Sequence, residues 1–398
     1  MTSGALPRLS IAKLEGLVIQ SWACLTVRGR LQPVSDSLTI EKEVPLAPMT
    51  SLGLGGVARF FTRARTVEDL EESLQWAAEE QQPTLLLGGG SNLVVADQGF
   101  HGLVIRVDLK GMRFATREGD VIADVAAGES WDPFVGETVR RGLGGLECLS
   151  GIPGSIGATP IQNVGAYGQE VSQVIETVSA LDIRTGERVE FSGQDCDFSY
   201  RMSRFKREPG NYWVTSARFR LQKEWTPHLR YGELSKALAS RNPSLSDVRD
   251  TVISLRRAKG MVIDPLDPES RSAGSFFTNP ILSHEKADRL VADAVRRGVV
   301  QEPAQVPRYP SSEGFSKMAA AWLIERSGVA KGMRHGGVGV SAKHTLALVN
   351  RGDGTSQELI ELALMIRDRV RQTWGVSLEP EPVCVGFGQP PFSGSAST

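Results

Sequence analysis

The chain is poor in the residues that build metal sites and disulfide frameworks. It has four cysteines and five histidines among 398 residues. The cysteines lie far apart, at positions 24, 148, 196 and 384, with no C-x-x-C pair. This spacing fits a reducing compartment and argues against a zinc ribbon or a disulfide scaffold. No two histidines have H-E-x-x-H or i, i+4 spacing, so we expect no protein-built metal site.

Long apolar runs and an excess of charge of one sign are also missing. No run reaches the roughly 18–20 apolar residues of a membrane span. The nearest, residues 17–27, is broken by Gln20, Ser21 and Thr26 and lacks a clear basic segment before it, which argues against a signal peptide. The net charge of −1 predicts no basic surface for nucleic acid. We therefore expect a cytoplasmic protein that uses neither a membrane nor nucleic acid.

Glycine is abundant, and one glycine-rich stretch is unusually apolar. Residues 151–168 read GIPGSIGATPIQNVGAYG and interleave their glycines with Ile152, Ile156 and Val164. Flexible linkers alternate glycine with polar residues instead. Glycines in a buried loop indicate positive φ or a backbone pressed close to a ligand. This loop suits a backbone wrapped around a large flat cofactor that carries a diphosphate.

A second glycine-rich segment, GGGSN at 88–92, lies between predicted strands at 84–87 and 93–95. No Gly-Lys-Ser/Thr closes it, so it is not a Walker loop, and it does not open a helix as a dinucleotide fingerprint does. Its successive backbone N–H groups suit a diphosphate. A plain tight hairpin is the alternative.

Hydrophobic periodicity predicts an extension, a strand-rich middle and a final third of mixed helix and strand. Helices are predicted at 66–80, 130–141 (with Pro133 at the first helical position), 283–297, 315–327 and 355–374. Strand patterns dominate 103–125, 178–191, 212–221 and 345–350. Residues 1–43 carry no repeat and read as an extension, and the Gly/Pro/Ser-rich residues 386–398 predict a disordered tail.

Three further segments are candidates for chemistry. YRMSRFK at 200–206 suits an arginine clamp for a carboxylate, or is a solvated basic turn. RSAGSFFTNP at 271–280 offers the hydroxyl of Ser275 as a proton donor beside two aromatics that wall a pocket, or contains a turn serine. LEPEP at 378–382 predicts two glutamates, Glu379 and Glu381, on one side of a strand, where one pKa rises. An exposed edge strand is the alternative there.

All these motifs, in this order and spacing, resemble the UDP-N-acetylenolpyruvoylglucosamine reductase family, flavoenzymes of peptidoglycan precursor synthesis also called UDP-N-acetylmuramate dehydrogenases. The resemblance covers roughly residues 44–385. Tyr231 in LRYGEL resembles the substrate-capping tyrosine of the family's longer subtype. The resemblance implies an α+β fold of three domains: an FAD-binding pair of the vanillyl-alcohol-oxidase type at 44–108 and 109–258, and a C-terminal α+β substrate domain at 259–385.

The resemblance also implies a reaction and a set of site residues. NADPH delivers a hydride to FAD, and the enolpyruvyl ether of the UDP-sugar is then reduced to UDP-N-acetylmuramate. The implied catalytic residues are Arg201, Ser275 and Glu381. The implied substrate-binding residues are Tyr231, Lys259, Asn279, Lys331 and His344, the last of which stands where some relatives have glutamine. The cofactor contacts fall in the two glycine-rich segments, at Gly88, Gly89, Gly90, Ser91, Asn92, Leu93, Pro153, Gly154, Ser155, Gly157, Ala158 and Gly168.

We expect the reductase to be a monomer. Two rival interpretations stay open. An FAD-dependent alcohol oxidase of the same fold superfamily would have similar first two domains, but it would need neither the AGSFF motif nor Tyr231. A UDP-sugar-binding relative without activity would be expected to lose one of Arg201, Ser275 and Glu381, and all three are present.

Overall fold

Three groups of elements follow one another along the chain. The structure, a computed structural model, describes residues 38–223, 225, 232–238 and 242–393. The predicted capping residue Tyr231 and almost all of the predicted extension 1–43 therefore lie outside the described residues. The combination of one mixed sheet, one antiparallel sheet and a C-terminal helix–sheet unit confirms the predicted α+β class.

The first group forms a four-stranded sheet with one helix. Its elements are β1 (Glu41–Pro45), β2 (Val57–Ala64), α1 (Val67–Glu79), β3 (Thr84–Leu87), β4 (Leu93–Val95) and β5 (Phe100–Val107). The sheet order is β1-β2-β5-β3, with β5 parallel to both β2 and β3. A capping box between Thr66 and Asp69 begins α1 as predicted, and Leu70 and Ala77 on its apolar face join the core of the sheet.

The expected domain start at residue 44 falls inside β1. That strand begins at Glu41 and pairs with β2, and the carbonyl of Thr39 accepts a hydrogen bond of 2.9 Å from the hydroxyl of Thr62. Ile40 packs against the first core. The segment Glu41–Pro45 is mostly exposed and lacks apolar alternation, so no pattern in the sequence marks it as a strand.

The second group is built on a five-stranded antiparallel sheet of order β11-β10-β12-β7-β6. Its elements are β6 (Met112–Arg117), β7 (Asp120–Ala126), α2 (Trp131–Arg140), α3 (Ala158–Gln162), β8 (Gly165–Ala166), β9 (Gln169–Glu170), β10 (Ile175–Asp182), β11 (Arg188–Ser192), α4 (Arg204–Arg207), β12 (Tyr212–Leu221), α5 (Gly232–Ala237) and α6 (Leu245–Ala258). Helix α2 begins at buried Trp131, so Pro133 is its third residue and not its first as expected. Proline is tolerated there because N–H groups of the first turn have no partner within the helix.

The C-terminal group packs helices against two small antiparallel sheets around the largest apolar cluster. Its elements are β13 (Ser272–Ser275), β14 (Ile281–Ser283), α7 (His284–Arg296), β15 (Arg308–Pro310), β16 (Phe315–Met318), α8 (Ala320–Glu325), β17 (Arg334–His335), β18 (Val338–Val340), β19 (Ala347–Asn350), α9 (Ser356–Trp374) and β20 (Val383–Val385). The helix predicted over 315–327 is wrong in its first part, because residues 315–318 pair with β14 and β15 as a strand. A short apolar segment fits either period, and the available strand partners decide.

The end of the chain returns to the first group. Strand β20 pairs in parallel with β4, and Ala96 N donates to the carbonyl of Val385 at 2.9 Å. Beyond it, Phe387 and Phe392 pack against the C-terminal cluster, and Arg367 Nη1 donates to the carbonyl of Phe392 at 3.2 Å. Residues 386–393 are therefore packed, unlike the disordered tail expected over 386–398. None of the described helices is long and apolar enough to cross a membrane.

Candidate active site

The two glycine-rich segments touch each other backbone to backbone. A Cβ on Gly88 would lie 2.5 Å from the hydroxyl oxygen of Ser155, and one on Gly89 would lie 2.6 Å from the Cα of Gly154. The hydroxyl of Ser91 donates to the carbonyl of Pro153 at 3.0 Å. These glycines are needed because any side chain would push the two segments apart.

The segment 88–92 is not a hairpin turn. Strand β3 before it pairs with β5, whereas β4 after it pairs with β20, so the two flanking strands belong to different sheets. Within the described residues, the backbone N–H groups of residues 89–92 donate no hydrogen bond to the protein. Four successive free N–H groups beside a second glycine-rich backbone suit a diphosphate, so this cradle fits FAD.

The remaining predicted cofactor residues extend this cradle. Gly90 has φ 62° and lies against the carbonyl of Met49. A Cβ on Gly157 would lie 2.8 Å from that of Ala127, and helix α3 begins at the next residue, Ala158. Asn92 and Leu93 lead into β4, and Val383 N donates to the carbonyl of Asn92 at 3.0 Å.

Gly168 has a different role. It adopts φ 85° between β8 and β9, and a Cβ on it would have no neighbour within 4 Å. Glycine is needed here because the turn has a positive φ, and no neighbouring atom would exclude a side chain.

Arg201 and Glu381 meet across the boundary between the second and third groups. The distance from Arg201 Nε to Glu381 Oε1 is 3.0 Å, and both side chains are about four-fifths buried, at 22% and 19% exposure. Arg201 Nη2 donates to the carbonyl of Gly165 at 2.6 Å. Within the described residues, Nη1 donates to no acceptor, so one edge of the guanidinium stays available for an anion.

The surroundings of this pair are rich in cationic groups. Lys206 Nζ donates to the carbonyl of Arg201 at 3.1 Å, and Lys317 Nζ lies 4.2 Å from the ring centre of Tyr200. Burial lowers the pKa of both lysines and raises the pKa of the Tyr200 phenol. Asn279 N donates to the phenol oxygen at 3.4 Å, so this predicted substrate residue lies beside the pair.

Ser275 ends strand β13 opposite Ala347 of β19. The next residue, Phe276, accepts a hydrogen bond from Glu381 N at 2.8 Å through its carbonyl, which brings Ser275 and Glu381 onto neighbouring backbones. Phe276 and Phe277 are 1% exposed and pack in the C-terminal core, so they do not wall a pocket as expected.

The segment 378–382 is not the regular strand that the alternation of Glu379 and Glu381 predicts. Pro380 forms an isolated β-bridge with Phe277, the carbonyl of Glu379 accepts a hydrogen bond of 3.0 Å from Thr278 N, and β20 begins at Val383. Glu379 lines a cleft of about 960 Å³ that also reaches Arg201 and Asn279. Glu381 faces Arg201 instead, so the two glutamates have different surroundings.

Three of the predicted substrate residues form a separate cationic group. Burial, followed by the charges of Lys259 and Lys331, lowers the pKa of half-buried His344 to about 4. Lys259 Nζ contacts Glu233 Oε2 at 2.6 Å and lies 5.8 Å from the ring centre of Tyr167. Glu233 balances the charge of Lys259, and the remaining ammonium of Lys331 beside a neutral imidazole is suited to an anionic ligand.

Sequence reasoning missed Lys206, Lys317 and Glu233 as parts of this region. Lys206 lies within the YRMSRFK motif, and Glu233 lies two residues after Tyr231. Both therefore lie in or beside a motif that the sequence analysis identified. Lys317 had none, because only the pairing of β16 with β14 brings it to Tyr200. No group of three or more His, Cys, Asp or Glu side chains in the described part of the chain is placed to hold a metal ion.

Comparisons with known proteins agree with this geometry. Residues 58–192 match the family model of an FAD binding domain, and residues 264–385 match that of the UDP-N-acetylenolpyruvoylglucosamine reductase C-terminal domain. The chain is 46% identical to the UDP-N-acetylenolpyruvoylglucosamine reductase of Streptomyces coelicolor, over 91% of this chain and 94% of that protein. It is 49% identical to the protein of the same name from Saccharopolyspora erythraea, over 85% and 94% of the two chains.

A solved structure of the same family also superposes on this chain. The UDP-N-acetylenolpyruvylglucosamine reductase of Thermus caldophilus superposes with a TM-score of 0.58 at 25% identity, covering 87% of this chain and 99% of that one. The region matched by the FAD-binding model includes both glycine-rich segments, and the region matched by the C-terminal model includes Ser275 and Glu381. This chain belongs to the UDP-N-acetylenolpyruvoylglucosamine reductase family and is a flavin-dependent oxidoreductase.

Proposed function

We propose that Arg201, Ser275 and Glu381 carry the chemistry of this reductase, which converts the enolpyruvyl ether of the UDP-sugar to UDP-N-acetylmuramate with NADPH as reductant. The observation that supports this most is the Arg201–Glu381 pair at 3.0 Å, with guanidinium Nη1 left without a protein acceptor among the described residues. The FAD cradle lies next to it, since Asn92 Nδ2 donates to the carbonyl of Glu381 at 3.2 Å.

The cradle formed by the two glycine-rich segments would hold FAD, which would supply a hydride obtained from NADPH for the terminal vinyl carbon of the substrate. Negative charge then develops on the adjacent carbon and spreads into the substrate carboxylate. The free edge of the Arg201 guanidinium stabilises that charge, and Glu381 holds the guanidinium in place. The hydroxyl of Ser275 donates a proton to the adjacent carbon, so that one hydride and one proton are added across the double bond.

Lys259, Lys331, His344 and Asn279 bind the UDP-sugar in this proposal. The ammonium of Lys331 attracts the diphosphate, and His344 stays neutral at physiological pH because its pKa is about 4. A neutral imidazole donates one hydrogen bond and accepts another, so it orients a polar group without adding charge. Tyr231 lies outside the described residues, and its proposed role is to cover the diphosphate.

The proposal includes a monomer that works in the cytoplasm without a membrane or nucleic acid. Only five large hydrophobic side chains of the described residues are exposed, which is too few for an extensive apolar interface: Met112, Ile263, Leu266, Ile281 and Phe315. Light scattering on a gel-filtration column measures the mass directly. A dimer at micromolar concentration would contradict this part of the proposal.

One experiment tests the proposed function against both rivals. NADPH oxidation and oxygen consumption are followed in air and under anaerobic conditions, each with and without the enolpyruvyl UDP-sugar. The reductase requires the substrate and ignores oxygen, whereas an alcohol oxidase consumes oxygen and an inactive binding relative oxidises nothing. Conversion of the substrate to UDP-N-acetylmuramate, measured by mass spectrometry, completes the assignment. NADPH oxidation that proceeds equally without the sugar would overturn it.

A further inference from the structure

Arg201 has a backbone conformation that its residue type disfavours. Its φ is 53°, in the left-handed region that β-carbon sterics make costly for residues other than glycine. The turn is closed by two hydrogen bonds of 3.0 Å, from Ser199 N to the carbonyl of Met202 and from Met202 N to the carbonyl of Ser199. A turn of this kind persists only where its surroundings hold it in place.

The segment that contains Arg201 is fastened to the end of the cofactor loop. The side-chain amide of Asn163 donates to the carbonyl of Ser199 at 2.9 Å. On the other side, the hydroxyl of Ser203 donates to the carbonyl of Ile161 at 2.8 Å. These contacts fix both flanks of the turn but do not contact the backbone of Arg201 itself.

Lys206 makes the contact that the flanking residues do not. Its Nζ donates to the carbonyl of Arg201 at 3.1 Å and to Gln162 Oε1, also at 3.1 Å. Gln162 is the last residue of α3, the helix that begins at the predicted cofactor residue Ala158. One half-buried ammonium therefore joins the strained arginine to the helix that leaves the FAD cradle.

We infer that Lys206 is a positioning residue that holds the Arg201 guanidinium at the substrate carboxylate by bridging the Arg201 carbonyl to Gln162. This inference rests on the role proposed above for Arg201. An ammonium suits the task because it offers three donors, while both of its partners here are acceptors. Burial lowers the pKa of Lys206, the charge of Glu381 opposes that effect, and the charge of Arg201 adds to it. The side chain acts through Arg201 and does not need to touch the substrate.

The test removes the ammonium and measures the two half-reactions separately by single-turnover stopped-flow absorbance of the flavin. In Lys206→Met, oxidation of the reduced flavin by the enolpyruvyl substrate slows by about a hundredfold, as expected for a misplaced reacting group. Flavin content and reduction by NADPH stay within about threefold of wild type. The matched control is Arg207→Met on the same helix, because the Arg207 guanidinium pairs with Asp197 and not with Arg201; it leaves both half-reactions unchanged.

A double-variant cycle distinguishes positioning from a general structural effect. Because Lys206 acts through Arg201, Arg201→Ala combined with Lys206→Met is no slower than Arg201→Ala alone. Effects that multiply in the double variant would overturn the inference. Lys206→Arg, which keeps charge and donors, recovers part of the rate, and it carries the test if Lys206→Met loses its flavin or unfolds.

The outcomes separate this inference from the proposed function. A normal substrate half-reaction in Lys206→Met, with a slow one in Arg201→Ala, would overturn the role of Lys206 and leave that of Arg201 intact. A normal half-reaction in Arg201→Ala would overturn the proposed role of Arg201 itself.

Discussion

Arg201 and Glu381 are separated by 180 positions in the chain and lie 3.0 Å apart, from Nε to Oε1. The Arg201 guanidinium donates to the carbonyl of Gly165, and the carbonyl of Arg201 accepts a hydrogen bond from Lys206. The backbone N–H of Glu381 donates to the carbonyl of Phe276. The two partners are therefore fixed by different parts of the chain, and the carbonyl of Glu381 also accepts a hydrogen bond of 3.2 Å from Asn92 Nδ2 of the first group. This relationship makes the pair sensitive to substitution at either side.

We expect Arg201→Ala and Glu381→Gln to impair reduction of the enolpyruvyl substrate far more than flavin reduction by NADPH. Only the former step develops charge beside a carboxylate, and loss of one such stabilising group costs roughly 10²–10³ in rate. Single-turnover absorbance at the flavin band measures both steps. Glu379→Gln is the matched control, because Glu379 lines the neighbouring cleft. If Glu379→Gln were the more damaging change, the role of Glu381 would belong to Glu379.

Ser275→Ala tests the proton donor. FAD binding and reduction by NADPH stay nearly intact, whereas flavin reoxidation by the substrate slows by about 10²–10⁴-fold, the usual cost of losing a general acid. Ser275→Cys recovers part of the rate because a thiol also donates a proton. Ser272→Ala, on the same strand, is a control for disturbing β13. Reoxidation of Ser275→Ala at the wild-type rate would place the donor elsewhere.

Gly89→Ala is expected to weaken FAD binding without unfolding the chain. Its Cβ would lie 2.6 Å from the Cα of Gly154, and relieving such overpacking costs about 1–3 kcal/mol, which corresponds to about 5- to 150-fold in affinity. Gly388→Ala is the control, because no atom lies within 4 Å of that Cβ. Fluorescence titration of the apoprotein with FAD measures both.

Since neither glycine-rich segment contains Cys or His, denaturation should also release all the flavin into the supernatant.

Truncation tests the limits of the folded core. A chain of residues 38–393 should keep the flavin, the turnover and the Tm of the full chain, since no motif lies outside it. A chain of residues 44–385 loses part of β1 together with Phe387 and Phe392. Burial of one aromatic side chain contributes roughly 1.5–3 kcal/mol, so the Tm should fall by several degrees. Equal Tm values for the two chains would show that these contacts add no stability.

His344 predicts a pH dependence of stability. Its pKa in the folded protein, about 4, lies below the ordinary value of 6.5. Between these values the unfolded chain binds a proton that the folded chain does not, so stability falls as pH drops from 6.5 towards 4. The loss from this group is at most about 3 kcal/mol. His344→Gln removes it, so the difference in Tm between pH 7 and pH 4.5 should be smaller in the variant than in wild type. An unchanged difference would contradict the burial of a neutral His344.

The sequence predicts the local features of this fold. Thr66 and Asp69 form the capping box of α1, and Thr355 and Glu358 form that of α9. Both helices form as predicted. Capping depends on residues three positions apart, so it needs no tertiary information. The glycine-rich segments are equally visible, because glycine is the residue that permits close backbone contact.

Long-range partners explain where the predictions failed. Residues 315–318 form a strand because β14 and β15 lie beside them, and residues 386–393 are ordered because Arg367 and the C-terminal cluster receive Phe392. Phe276 and Phe277 are core residues for the same reason, although their neighbours in the chain suggested a pocket wall. Each outcome depends on atoms far away in the sequence, which periodicity does not encode.

The sequence by itself determined the residue types of the site, the two glycine-rich segments, the caps of the long helices and the family. Only the tertiary structure decided that Glu381 meets Arg201, that Lys206 contacts the Arg201 turn, and that Lys317 lies over Tyr200. The physical reason is the distance along the chain between the residues that interact. Backbone conformation and capping are set by neighbouring residues, whereas hydrogen bonds and ion pairs between domains depend on how strands such as β20 return to distant partners.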